Sequence, residues 1–165
     1  MRIIGLAGWS GSGKTSLVVR LLPALVARGL RVSTIKHAHH EFDVDTPGKD
    51  SYEHRAAGAH EVLVASARRF ALMHELRDAP EPTLEELVAR LAPVDLLIVE
   101  GFKRHGHDKI EVHRPSVGKK LLAPEDPHIV AVASDAALEG LTVPRLDLDD
   151  TQAIVDFVVK HTGLG

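Results

Sequence analysis

The most specific chemistry in the chain lies at Gly8-Trp9-Ser10-Gly11-Ser12-Gly13-Lys14-Thr15, which satisfies G-x-x-x-x-G-K-[ST] at every fixed position. Glycines let the backbone turn tightly, so that successive N–H groups point inward at phosphate oxygens. A helix starting at Lys14 would add its unpaired N–H groups and the positive end of its dipole. Lys14 can reach the outer phosphates, and the Thr15 hydroxyl can join the shell of Mg²⁺. Ser10, Gly11, Ser12 and Ser16 complete the candidate cradle. Trp9, the only tryptophan, either covers a bound ligand or packs at a contact.

A second chemical element is acidic. The apolar run Asp95-Leu96-Leu97-Ile98-Val99 ends in Glu100-Gly101. A carboxylate at the carboxyl end of a buried strand is where phosphate-loop proteins hold Mg²⁺, directly or through water. The segment from His37 to Gly58 is rich in His, Asp, Gly and Lys and lacks any hydrophobic period. Asp43 and Asp45 offer hard oxygen ligands, while Lys49 and Arg55 suit phosphate or an anionic partner. His37, His39 and His40 could bind a transition metal or make up a solvated, hydrogen-bonding loop. The stretch Phe102 to Lys109 is a basic loop with the same two readings, anion contact or solvated turn. Asp135, after the apolar run Ile129 to Ala133, either caps a helix or accepts from the ring N–H and amino group of a purine. His74, His128 and His161 read as ordinary histidines.

These residues need a scaffold, and the hydrophobic pattern supplies one. Arg2 to Ala7 reads as a strand and Lys14 to Arg28 as a helix with Leu17, Val18, Leu21, Leu22, Leu25 and Val26 on one stripe. Pro23 inside it removes one hydrogen bond. Arg31 to Lys36 is a second strand, and the β-loop-α-β opening implies parallel pairing with a right-handed crossover. A short helix is expected near Tyr52 to Ala57, then a hairpin of Glu61 to Ala65 and Arg69 to His74. Thr83 and Glu86 have capping-box spacing at the start of a helix running to Leu91. Asp95 to Val99, Lys109 to His113 and Ile129 to Ala133 are strand candidates. Asp149 or Asp150 caps a final helix carrying Ile154, Val155, Phe157 and Val158. The alternation predicts an α/β fold with a mostly parallel sheet flanked by helices and an added β-hairpin.

Length and composition narrow the alternatives. At 165 residues, the chain is expected to form one domain over 1–165. It is 44% hydrophobic and 26% charged, ordinary values for a folded chain. The net charge of −3 gives no support to bulk nucleic-acid binding. The absence of cysteine excludes disulfides, iron–sulfur clusters and Cys-based zinc sites. No apolar run approaches the roughly 20 residues of a membrane helix or a signal-peptide pattern, so no membrane partner is expected and the cytoplasm is the simplest compartment.

The phosphate loop alone is too common to identify a family. Together with Lys36-His37-Ala38-His39-His40 through Phe42-Asp43-Val44-Asp45-Thr46-Pro47-Gly48-Lys49-Asp50-Ser51, then His54-Arg55, and Val99-Glu100-Gly101-Phe102-Lys103, the chain resembles the molybdopterin-guanine dinucleotide biosynthesis adaptor family, the MobB proteins. The resemblance covers nearly the whole chain. It implies a P-loop NTPase fold of the SIMIBI class, GTP and Mg²⁺ as cofactors with weak hydrolysis at most, and a homodimer built through an extended sheet. The implied partner is the guanylyltransferase that joins GMP to molybdopterin, with contact to molybdopterin itself as a further option. By matching motif, Gly8, Gly13, Lys14 and Thr15 would hold the phosphates and Mg²⁺, with Asp43, Asp45 and Glu100 as candidate metal or water ligands. No N-K-x-D guanine motif is visible, so GTP rests on the resemblance and, more weakly, on Asp135. Competing readings are an ATP-dependent ligase or kinase of the dethiobiotin-synthetase type and a nickel-insertion GTPase. The long His37–Arg55 segment is expected to respond to the bound nucleotide, as switch segments do.

Overall fold

The structure is a computed structural model and describes residues 1–38, 42–103 and 105–165. In chain order its elements are β1 (Arg2–Ala7), α1 (Lys14–Ala27), β2 (Val32–Lys36), α2 (Asp50–Ala56), β3 (Glu61–Ala65), β4 (Phe70–His74), α3 (Leu84–Val88), β5 (Leu96–Glu100), β6 (Lys109–His113), β7 (Ile129–Ser134), β8 (Arg145–Asp147) and α4 (Thr151–Thr162), with a 3₁₀ turn at Pro115–Val117. They fall into two compact units, Met1–His37 with Leu91–Gly165, and Ala38–Arg90.

The larger unit is a six-stranded sheet in the order β2-β5-β1-β6-β7-β8, parallel at every pairing. Strands of such a sheet are covered on both faces and read as near-continuous apolar runs. Leu96 to Val99 obey this rule, each at most 1% exposed. Ile4, Leu6, Leu96, Ile98, Ile110 and Val112 alternate onto one face, where they meet Leu17, Leu21 and Leu25 of α1 and Ile154, Val155 and Val158 of α4. Each such side chain contributes about 1.5–3 kcal/mol on burial. Pro23 is tolerated in α1 because it lies on the exposed side. Asp150 caps α4, its carboxylate accepting from Ala153 N at 2.9 Å.

The central strand β6 departs from the apolar rule. Lys109, Glu111 and His113 share its other face and are all buried. Lys109 Nζ donates to His105 O at 2.6 Å and lies 3.0 Å from Asp126 Oδ2. The Glu111 carboxylate accepts from Leu122 N and Ala123 N, each at 2.8 Å. Buried charges of this kind persist only when every lone pair and proton is matched.

The smaller unit holds the antiparallel hairpin β3–β4, whose register sets Leu63 opposite Leu72 and Ala65 opposite Phe70. Helix α2 packs on β3. It carries Asp50 and Glu53 in its first turn and His54 and Arg55 in its last, in line with the helix dipole. Thr83 and Glu86 form the expected capping box at α3. That helix stops at Val88, short of the expected Leu91, where the chain tightens into a three-residue turn with Arg90 N donating to Leu87 O at 3.1 Å.

Candidate nucleotide-binding site

The phosphate loop leaves the carboxyl end of β1 and enters α1 through Gly13. Two of its glycines are obligatory. Gly8 has φ 147°, and a Cβ there would lie 2.5 Å from Val112 O and 2.7 Å from Ser12 Oγ. Gly13 is the N-cap of α1 at φ 96°, with no side chain to cap the helix. The first N–H groups of α1 are therefore left for another acceptor. Ser12 is 2% exposed, and its Oγ makes no hydrogen bond among the described residues. Ser10, Gly11 and Ser16 lie exposed along the same loop and first turn.

Lys14 Nζ donates to Gly8 O and Trp9 O, both at 3.0 Å, and so spans its own loop. Burial lowers its pKa, with the nearby Lys103 and Lys36 adding to this and Glu100 opposing it. A partly desolvated ammonium beside free helix N–H groups is a strong electrostatic demand for an anion.

Glu100 ends β5 beside Leu6 of β1 on one side and Lys36 of β2 on the other. Thr15 Oγ1 donates to Glu100 Oε1 at 2.7 Å. Lys36 Nζ donates to Thr15 Oγ1 at 3.3 Å and lies 3.6 Å from Glu100 Oε1. Neighbouring oxygens in an octahedral Mg²⁺ shell are about 2.9 Å apart, since Mg–O bonds are about 2.05 Å. The Thr15 and Glu100 oxygens fit that spacing, and the Lys36 ammonium is the cation they share here. The remaining ligands of such an ion would be phosphate oxygens and water.

Trp9 is neither a free lid nor a plain surface residue. Its Nε1 donates to Lys120 O at 2.8 Å, and Lys103 and Lys119 place their ammonium groups 4.9 and 5.8 Å from its ring centroid. Asp135 follows β7 but caps no helix, because none follows it; its carboxylate pairs with Arg114. The sequence reading passed over Arg114 and Glu111. Arg114 could be found only by knowing that β6 pairs with β1, which brings the residue after β6 to the phosphate loop.

The other predicted ligands belong to the smaller unit. Arg55 joins three carboxylates: Asp43 at 2.7 Å, Asp45 at 3.3 Å and Glu75 at 2.8 Å. The hydrogen bond from Arg55 holds the Asp43 carboxyl below its usual pKa, and the same bonds raise the pKa of Arg55. Asp45 Oδ1 also accepts from Ser51 Oγ at 2.8 Å and Thr46 N at 3.0 Å. The guanidinium lies 5.5 Å from the Tyr52 ring centroid, beside a hollow of about 200 Å³ lined by Asp43, Tyr52, Arg55, Ala56 and Glu75. Lys49 is exposed at the N-cap of α2.

His37 donates its backbone N–H to Glu100 O at 2.8 Å, and its ring lies 4.6 Å from that of Phe102. His39 and His40, and Arg104 of the basic loop, lie outside the described residues. Among the described residues, no group of three or more His, Asp or Glu side chains is placed to hold a metal ion. His74 and His161 face Glu61 at 2.6 Å and Asp108 at 2.8 Å. No helix among the described residues is long and apolar enough to cross a membrane.

A glycine-rich loop carrying Lys14 and Thr15 between the inner strand of a parallel sheet and a helix, with an acid ending the neighbouring strand, defines a protein of the P-loop fold. The family model described as Molybdopterin guanine dinucleotide synthesis protein B, MobB, matches residues 3–135, and the chain belongs to this family. It is 48% identical over 164 residues to the Molybdopterin-guanine dinucleotide biosynthesis adapter protein of Escherichia coli K12, covering 96% of this chain and 91% of that one. The protein of the same name from Haemophilus influenzae is 41% identical, over 94% of this chain and 86% of the relative. Among solved structures, molybdopterin-guanine biosynthesis protein B superposes with a TM-score of 0.75 at 28% identity, covering 96% of this chain and 99% of that one. Bacillus subtilis MobB superposes with a TM-score of 0.75 at 25% identity, covering 98% of each. The ligase, kinase and nickel-insertion readings gain no support from these relatives.

Proposed function

We propose that the chain is an adapter in molybdopterin guanine dinucleotide biosynthesis. It binds GTP with Mg²⁺ at the phosphate loop and assists the guanylyltransferase that joins GMP to molybdopterin. The observation that carries this reading is the grouping of Lys14, Thr15 and Glu100 at the carboxyl ends of the neighbouring inner strands β1 and β5, in a chain nearly half identical to a named adapter. The loop from Gly8 to Ser16 takes the phosphates through backbone N–H groups, with Lys14 as the cation. Thr15 and Glu100 would hold the metal, which supplies charge neutralisation between the phosphates when bound. GTP turns over slowly, and the nucleotidyl transfer belongs to the partner enzyme.

Asp43, Asp45, Lys49 and Arg55 serve the adapter role in the second unit. A metal role for Asp43 or Asp45 requires that Arg55 release them, since each carboxylate is already ion-paired. The working form is a homodimer in the cytoplasm. Leu63, Phe70 and Leu72 share one face of the hairpin and are 59, 72 and 47% exposed. An apolar strand face of this kind is ordinarily covered, and a second copy of the chain is the proposed cover.

The test is calorimetric titration of GTP and of ATP, each with Mg²⁺, into the wild-type protein and Lys14→Ala. GTP preference without rapid turnover, lost roughly 30-fold or more in Lys14→Ala, supports the reading; a pull-down of the guanylyltransferase follows. ATP preference with fast consumption, or unchanged affinity in Lys14→Ala, overturns it.

A further inference from the structure

Arg114 follows β6 directly, at the carboxyl end of the strand paired with β1. A Cβ placed on Gly13 would lie 3.5 Å from Arg114 Nε and 3.9 Å from Nη2. The guanidinium therefore stands over the last glycine of the phosphate loop, next to the positive end of α1. Two positive groups facing each other are unfavourable unless something negative lies with them. One such group is Asp135, whose carboxylate pairs with Arg114 while the two side chains stay 26 and 32% exposed. The stretch after Arg114 is also pinned. Val117 N donates to Arg114 O at 3.0 Å, Trp9 of the phosphate loop holds Lys120 O, and Glu111 holds Leu122 N and Ala123 N. An arginine fixed this firmly keeps donors free for a second anion, and its planar fork suits phosphate oxygens.

We propose that Arg114 is a phosphate-binding residue of the nucleotide site, and that Asp135 is its positioning residue and does not read the base. The inference rests on the nucleotide reading above. A guanine held through its ring N–H and amino group would need both oxygens of a free carboxylate, and Asp135 already gives one to Arg114.

The test titrates GTP, ATP, xanthosine triphosphate and guanosine, with Mg²⁺, into the wild-type protein, Arg114→Ala, Arg114→Lys, Asp135→Asn and the Arg114→Ala/Asp135→Asn double variant. Thermal unfolding checks that each variant is folded. Arg114→Ala should weaken every triphosphate about tenfold or more by the same factor, leave guanosine unchanged, and be partly rescued by Arg114→Lys. Asp135→Asn should weaken all triphosphates alike, and the double variant should bind no worse than Arg114→Ala, as expected when one residue acts through the other. Unchanged triphosphate affinity in folded Arg114→Ala overturns the inference. So does a switch of Asp135→Asn toward xanthosine triphosphate, since an asparagine can donate to the oxygen that replaces guanine's amino group. A wild-type protein that binds no nucleotide would overturn the nucleotide reading instead, and loss in Lys14→Ala beside an unaffected Arg114→Ala would overturn this inference alone.

Discussion

Thr15 and Glu100 are 85 positions apart in the chain and meet in a 2.7 Å hydrogen bond from hydroxyl to carboxylate. The sheet makes the meeting unavoidable. Leu6 pairs in register with Glu100, so the first turn of α1 starts beside the end of β5. Lys36, in register with Glu100 from the other side, completes the charge balance.

This pairing predicts how Mg²⁺ supports nucleotide binding. Glu100→Gln keeps the shape and the hydrogen bond but removes the charge. Nucleotide affinity in the presence of Mg²⁺ should fall about tenfold, while affinity measured with a chelator should stay within about twofold. Calorimetry under both conditions reads the difference. Equal losses with and without the metal would take Glu100 out of the metal shell.

Arg55 predicts a stability effect in the smaller unit. The Asp45 side chain is 8% exposed and depends on Arg55, Ser51 and the backbone for compensation. Arg55→Met should destabilise this unit, by less than the loss of a fully buried pair because Asp43 and Glu75 keep access to water. Limited proteolysis of residues 42–58 should accelerate. Cleavage at the wild-type rate would mean that the carboxylates tolerate one another without the guanidinium.

His107 predicts a pH dependence. Both ring nitrogens are buried without a hydrogen-bond partner, and the ring is packed over Gly5, where any Cβ would lie 2.5 Å from its Nε2. Burial pushes its pKa down to about 4, with the neighbouring Lys109, His105 and His128 adding to the shift and Asp108 opposing it. The folded protein thus keeps His107 neutral, while the unfolded chain takes up a proton below about pH 6.5. Stability from this group is present above that pH and is lost as the pH falls toward 4. The loss is on the order of 1–2 kcal/mol, because the part-exposed ring retains some solvation. His107→Phe should flatten the urea-unfolding profile between these limits. A profile as steep as the wild type would place the titration elsewhere.

The hairpin face predicts association. Phe70→Glu puts a charge in place of the most exposed large apolar side chain of β4. If a second copy covers this face, light scattering should report a dimer for the wild type and a monomer for the variant, with thermal stability of the monomeric unit preserved. A variant of unchanged mass would remove the hairpin from the interface.

Much of this arrangement was legible because local chemistry fixes it. Gly8, Gly13, Lys14 and Thr15 declare the phosphate loop by type and spacing, and the apolar run before Glu100 declares a buried strand. Strand β5 starts at Leu96, one residue after the expected Asp95, whose carboxylate accepts from Arg31 N at 2.7 Å at the mouth of the strand. Strand β8 has only three residues, too few for any period to register. Arg114 and Glu111 were out of reach for another reason. Their roles depend on which strands are neighbours, and strand order is a property of the assembled sheet. Arg55 had a clear charge but no visible partners, since Glu75 comes to it only once the hairpin forms.

The charged stripe of β6 has a consequence for recombination between relatives. Lys109 and Glu111 are satisfied by His105, Asp126 and the backbone of Leu122 and Ala123. Strand and following segment therefore work as one unit. The amides of Leu122 and Ala123 would be supplied by any residue but proline, so only the ammonium depends on which side chain a relative contributes. A crossover between residues 113 and 126 that brings a neutral residue to position 126 would leave the Lys109 ammonium in the middle of the sheet with a carbonyl alone, at about 3–5 kcal/mol. Breakpoints before residue 105 or after residue 128 keep the ammonium with its carboxylate, so chimaeric chains divided there should be the more stable ones.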